Sequence, residues 1–110
     1  LAAAVPRERR VAVELTHPSW DTAEIDQLLA DAGAARCIAD RQDGTARVVS
    51  TAPWGYVRLR RDDYSADQLA RWRDAHVAHG WSDGYVFFKH EETARGAELA
   101  LAFDQLLRTT

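Results

Sequence analysis

Four short runs of apolar residues predict strands that are covered on both faces. They lie at residues 10–15, 35–40, 55–60 and 84–89. Apolar side chains are not confined to alternate positions in these runs, and β-branched and aromatic types are frequent. This pattern is typical of parallel strands that are buried between helices.

Two helices are predicted between these strands. Apolar residues follow the i, i+3, i+4, i+7 spacing from Ile25, after a possible N-cap at Asp21, and Gly33 supplies a stop. Ser65 and Gln68 have the spacing of a capping box at the start of the second helix. A glycine at position 80 would end that helix.

A third helix is predicted at about residues 94–108, where Glu91 and Glu92 would suit its positive end. The predicted order is therefore β-α-β-loop-β-α-β-α. Residues 41–54 contain an Asp-Gly turn but no helical pattern, so they are either a binding loop or a surface excursion. The alternation predicts an α/β fold with a parallel sheet, either doubly wound or part of a (β/α) barrel.

Composition indicates one domain over residues 1–110, with 46% hydrophobic and 28% charged residues. No apolar run is long enough to span a membrane, and the single cysteine fits a reducing compartment, so we expect a cytoplasmic protein. The net charge of -3 disfavours binding to nucleic acid or a membrane surface. Two arginine clusters could still contact an anionic partner; they comprise Arg7, Arg9 and Arg10, and Arg58, Arg60 and Arg61.

Polar residues gather where the predicted strands end, which is where parallel α/β folds place their sites. Glu14 interrupts an apolar strand in phase with Ala12, so its carboxylate needs a partner, for which Arg58 is the obvious candidate. Glu14 is then a general base or a ligand anchor, or one half of a purely structural ion pair. We expect Asp40 to join the same face.

The only lysine, Lys89, is in phase with Tyr85 and Phe87 and is predicted to point into the site. An ammonium there could act as a point charge or lose its proton, although Lys89 could equally end a strand and reach water. Glu14, Arg58 and Lys89 are thus the candidate catalytic residues.

The candidate ligand-binding residues are His17, Trp20, Asp40 and His90. Trp20 could stack on a sugar face beside His17, or both could simply close the turn after the first strand. Glu14, His17, Asp40 and His90 could in principle ligate a metal, but no short ligand motif supports one, and we predict none. The sequence identifies no cofactor. Neither a nucleophilic serine or cysteine site nor a phosphate-binding loop is supported.

These segments resemble the YecE-like family, also called domain of unknown function 72. The similarity rests on seven segments that occur in the same order as in the family. They are Val11–Glu14, His17–Trp20, Cys37–Asp40, Thr51–Leu59, Tyr64-Ser65, Tyr85–Glu91 and Gly96-Ala97. The chain departs from the family pattern at Thr16, at Pro53 and at Arg60-Arg61, all near the expected site.

The resemblance implies the C-terminal half of an irregular TIM barrel, because family members are roughly twice this long and a closed barrel needs eight strands. The first residue is Leu1 rather than Met, which also suggests a fragment. Such a fragment is expected to need its missing half or self-association. The family has no settled activity, and its relation to sugar isomerases is one of fold.

Two classes of function remain. The first is an enzyme that acts on a small polar, sugar-like or phosphorylated ligand at the carboxyl ends of the strands. The alternative is a non-catalytic binding or scaffold barrel that contacts an anionic partner through its arginine-rich rim.

Overall fold

The four predicted strands form one parallel sheet. A computed structural model describes residues 9–44, 47–89 and 94–109. The strands lie in chain order across the sheet and every neighbouring pair is parallel; they are β1 (Ala12–Val13), β2 (Ala35–Asp40), β3 (Gly55–Leu59) and β4 (Gly84–Phe88). Helices α1 (Ala23–Ala32), α2 (Ala66–Ala78) and α3 (Arg95–Arg108) alternate with them. The predicted α/β class is confirmed.

Helix α1 begins one residue later than predicted. The side chain of Thr22, not Asp21, accepts a hydrogen bond from the N–H of Ile25 at 3.3 Å. Asp21 does not cap the helix because its carboxylate pairs with the guanidinium of Arg36 at 2.8 Å. The helix ends at Gly33, whose φ of 75° lies in the left-handed region that glycine adopts without a steric penalty.

The capping box of α2 is confirmed. The N–H of Gln68 donates to the hydroxyl of Ser65 at 3.1 Å, and the N–H of Ser65 donates to the Gln68 side chain at 2.8 Å. Two of the four amide groups that a helix leaves without an intrahelical partner are thereby satisfied. The bounds of α3 agree with the prediction, whereas Glu91 and Glu92 lie outside the described residues.

Strand β1 is shorter than predicted, because only Ala12 and Val13 pair with β2. After β2, residues Arg41 and Gly44 exchange two backbone hydrogen bonds of 3.1 Å and close a turn. Within the described part of residues 41–54 there is neither a helix nor a full strand, as the sequence indicated.

The hydrophobic core lies between one face of the sheet and helices α2 and α3. Its buried members are Ile38, Val57, Leu59, Tyr64, Leu69, Leu99 and Phe103. Side chains of β3 and β4 on the opposite face remain accessible, with Tyr85 41% and Phe87 48% exposed. We call this second face the inner face, because it would face the interior of the barrel that the family resemblance implies. None of the described helices has the length and apolarity needed to cross a membrane.

Candidate functional site at the carboxyl ends of the strands

The Glu14 carboxylate lies on the inner face and is shared by side chains from three segments. The guanidinium of Arg58 on β3 donates to Oε1 at 2.6 Å, and that of Arg41, just after β2, donates to Oε2 at 3.3 Å. The thiol of Cys37 on β2 lies 3.7 Å from Oε1. Parallel pairing brings these segments together, so the predicted contact between Glu14 and Arg58 is confirmed.

The two arginines control the charge of Glu14. Partial burial by itself raises the pKa of Glu14, but the hydrogen bond and charge of Arg58, with the charge of Arg41, outweigh it. The net result is a pKa below the ordinary value, so Glu14 is an anion at neutral pH. Burial, with the nearby Glu14 charge, raises the pKa of the Cys37 thiol to about 12, which leaves this cysteine a poor nucleophile.

Two open clefts adjoin the Glu14 carboxylate. One, of about 320 Å³, lies on the inner face between Glu14, Tyr56 and Arg58. The other, of about 230 Å³, extends past Arg41 toward His17 and the start of α1. Glu14 therefore stands where a small ligand in either cleft could meet a carboxylate and at least one guanidinium.

His17 lies in the wall of the second cleft, whereas Trp20 is not among the described residues that line it. Nδ1 of His17 accepts from the N–H of Ser19 at 3.2 Å and lies 2.7 Å from its hydroxyl. These contacts begin a short 3₁₀ helix, Pro18–Trp20, and Trp20 is 39% exposed at its end. The turn-closing interpretation of His17 is what the geometry shows, and its ring also lines the cleft.

The prediction that Asp40 lies with Glu14 holds for the end of the sheet but not for the side chain. Asp40 lies at the carboxyl end of β2, but its side chain is 2% exposed and contacts Arg61 and Tyr64 among the helix-side residues. Strand alternation explains this, because Cys37 faces Glu14 and a residue three positions later must point to the opposite face. Glu14 and Asp40 therefore cannot belong to one metal site with His17, and His90 lies outside the described residues.

Lys89 follows β4, and its ammonium lies 2.6 Å from a carboxylate oxygen of Asp62 in the loop after β3. Val86 and Phe88 pack against the core, while Tyr85 and Phe87 face away from it, as predicted. Lys89 is thus at the expected end of the sheet, held by Asp62.

The sequence model of the family described as "Protein of unknown function DUF72" matches residues 1–110. The chain belongs to the DUF72 family. A DUF72 protein from Thermotoga maritima is similar to it, with 25% identity and a TM-score of 0.77 over 93% of this chain and 48% of the other. A DUF72 protein from Enterococcus faecalis has a TM-score of 0.70 at 18% identity, over 92% and 49%. No curated protein matches.

This DUF72 chain therefore spans about half the length of the solved structures that it matches. A four-stranded parallel sheet of that extent is consistent with half of a barrel.

The described members of the two arginine clusters lie at opposite ends of the sheet. Arg10 pairs with Asp83 at 2.7 Å, immediately before β4, so it lies at the amino ends of the strands. Arg61 lies beyond β3, at the carboxyl ends. Arg7 lies outside the described residues.

Sequence reasoning missed three arginines around the clefts. Arg41 contacts Glu14, and both Arg36 and Arg47 bind Asp21 and Asp26. Arg41 could have been found, because it directly follows β2 and must lie at the same sheet edge as Glu14. Arg47 lies in a loop without periodicity, so the sequence holds no signal for its contacts.

Proposed function

We propose that this protein binds a small polar anion, sugar-like or phosphorylated, at the carboxyl ends of its strands. The observation that carries the proposal is the Glu14 cluster, in which one carboxylate faces the two guanidiniums of Arg41 and Arg58. The excess of positive charge favours a ligand with a phosphate or carboxylate group, which a guanidinium can bind through two hydrogen bonds. Glu14 would accept a hydrogen bond from a ligand hydroxyl.

The electrostatics support an anchoring role for Glu14 over proton transfer. A general base works best when its pKa is near the working pH, whereas the arginines lower the pKa of Glu14. Lys89 pairs with the Asp62 carboxylate, which favours its charged form. Its role is therefore better described as a fixed positive charge at the edge of the site than as a group that gives up a proton. Any reaction would then depend on ligand orientation and charge stabilisation, with His17 bordering the ligand.

In the intact protein such a site would lie within a TIM barrel, at the end where those enzymes hold their ligands.

The test is binding of inorganic phosphate and of glucose 6-phosphate, measured by calorimetry and thermal shift on the complete gene product. Saturable stabilisation is expected, and Arg58→Gln or Arg41→Ala should weaken it about tenfold. Arg108→Ala is the matched control, because Arg108 is an exposed arginine paired with Asp104 on α3. Equal binding by all three variants, or no saturable binding of either anion, would contradict the proposal.

A further inference from the structure

A third pocket, of about 320 Å³, lies on the helix side of the sheet, across from the Glu14 cluster. It is bordered by the end of β2, by Val48 in the connection after β2, and by α2. The described part of that connection forms no helix, so the usual β-α alternation is interrupted here. Its volume is at the lower end of the range of roughly 300–1,000 Å³ found for ligand pockets.

Asp40 is one of the residues that line this pocket, and one oxygen of its carboxylate is buried without a hydrogen-bond partner among the described residues. Oδ2 accepts hydrogen bonds from Nε of Arg61 and from the hydroxyl of Tyr64, both at 2.8 Å. Oδ1 is buried and has no hydrogen-bond partner among the described residues. Leaving such an acceptor unsatisfied is costly, so an orphaned oxygen beside a cavity points to a missing donor.

The charge of Asp40 is already met by Arg61, so a neutral O–H fits Oδ1 better than a second cation. The walls of the pocket are partly apolar, because Val48, the indole of Trp72 and Ala75 line it. Arg71, an exposed residue of α2, lines it as well. A buried acceptor, an aromatic wall and a cation therefore surround one space.

We propose that this pocket binds a small, flat organic anion that carries a hydroxyl group. The hydroxyl donates to Oδ1 of Asp40, the apolar body packs against Trp72, and the anionic group faces Arg71. This site is separate from the one at Glu14, because the two lie on opposite faces of the sheet. Its ligand differs as well, since the described lining offers an aromatic wall and the exposed Arg71.

The probe is 4-hydroxybenzoate, titrated into the complete gene product and followed by the indole N–H signals of its tryptophans. Trp72→Phe assigns the signal of Trp72, which should shift saturably with a dissociation constant on the order of 1 mM. Benzoate lacks the hydroxyl and phenol lacks the carboxylate, so each should bind about tenfold more weakly.

Two variants separate the roles of the polar groups. Arg71→Ala should weaken 4-hydroxybenzoate binding about tenfold, and Arg73→Ala, on the same helix but paired with Asp74, should not. Asp40→Asn keeps one oxygen for Arg61 and Tyr64 and replaces Oδ1 by an amide. It should abolish the preference for 4-hydroxybenzoate over benzoate.

Three results would overturn the proposal. The first is the absence of a saturable shift at Trp72, as expected if Oδ1 holds only a water molecule. The second is equal affinity for the three probes. The third is binding that Arg58→Gln abolishes and Arg71→Ala leaves intact, which would place the probe at the Glu14 cluster. If Asp40→Asn fails to fold, the comparison of Arg71→Ala with Arg73→Ala and the relative affinities of the three probes still test the proposal.

Discussion

Glu14 shows how single side chains set the chemistry of this sheet edge. An isolated carboxylate at a half-buried position would tend to take up a proton, because burial disfavours its charged form. The contacts with Arg58 and Arg41 reverse that tendency and keep the carboxylate ionised. The same contacts link β1, β2 and β3 at their carboxyl ends, so the cluster serves stability as well as binding.

The Glu14 cluster should make stability depend on pH in the acid range. Because the pKa of Glu14 is lower in the folded than in the unfolded state, its contribution is fully present above the unfolded pKa, near 4.5. That contribution is lost as the pH falls through the lower, folded value. At pH 7 we expect Glu14→Gln to lower the free energy of unfolding by about 1 kcal/mol, as measured by urea denaturation. At pH 3 the difference should shrink.

A double-mutant cycle supplies the control. Glu14→Gln and Arg58→Gln should be coupled by about 1 kcal/mol at pH 7, and the coupling should decrease on acidification. A coupling energy that does not change with pH would show that shape, rather than charge, stabilises this contact.

At the scale of elements, local sequence patterns predict where helices begin and end more accurately than they predict side-chain contacts. The capping box at Ser65 and the glycine stop at Gly33 were predicted because each acts within a few residues of itself. Asp21 was misassigned because its carboxylate contacts arginines far along the chain, which a local pattern cannot show. The contact between Glu14 and Arg58 was predictable, since an interrupting charge on a buried strand needs a partner. Strand alternation also indicates the face of the sheet on which the Asp40 side chain lies, and our prediction placed it on the wrong face.

The start of β4 packs closely against α2. A methyl group added at Gly84 would collide with the imidazole of His76, which itself meets Trp81 edge-on with ring centroids 5.3 Å apart. We therefore expect Gly84→Ala to lower the free energy of unfolding by about 1–3 kcal/mol, the usual cost of overpacking. Chemical denaturation of the two proteins would measure the difference.

The matched control is Gly44→Ala, because a methyl group at Gly44 meets nothing within 4 Å. Its free energy of unfolding should stay within about 0.5 kcal/mol of the parent protein. Adding His76→Ala to Gly84→Ala should recover part of the loss. A Gly84→Ala protein as stable as the Gly44→Ala protein would show that α2 moves away from β4 at little cost.

At the scale of the whole molecule, the two faces of the sheet differ in how they are covered. Helices α2 and α3 bury one face around Leu59, whereas Tyr85 and Phe87 on the inner face are 41% and 48% exposed. An aromatic face of this kind is unusual on the surface of a soluble monomer. In a barrel it would face the interior, which agrees with a chain spanning about half the length of similar DUF72 structures.

The 110 residues expressed alone should therefore associate. The inner face and the outer edges of β1 and β4 offer apolar surface and unpaired backbone groups, which a second copy can cover. Sedimentation velocity should give a mass above the 12.3 kDa of one chain, rising with concentration. Phe87→Asp should shift the distribution toward monomer because it places a charge in the aromatic face, whereas Leu101→Asp, at an exposed position of α3, should not. A compact monomer with cooperative unfolding would show that four strands suffice without a partner.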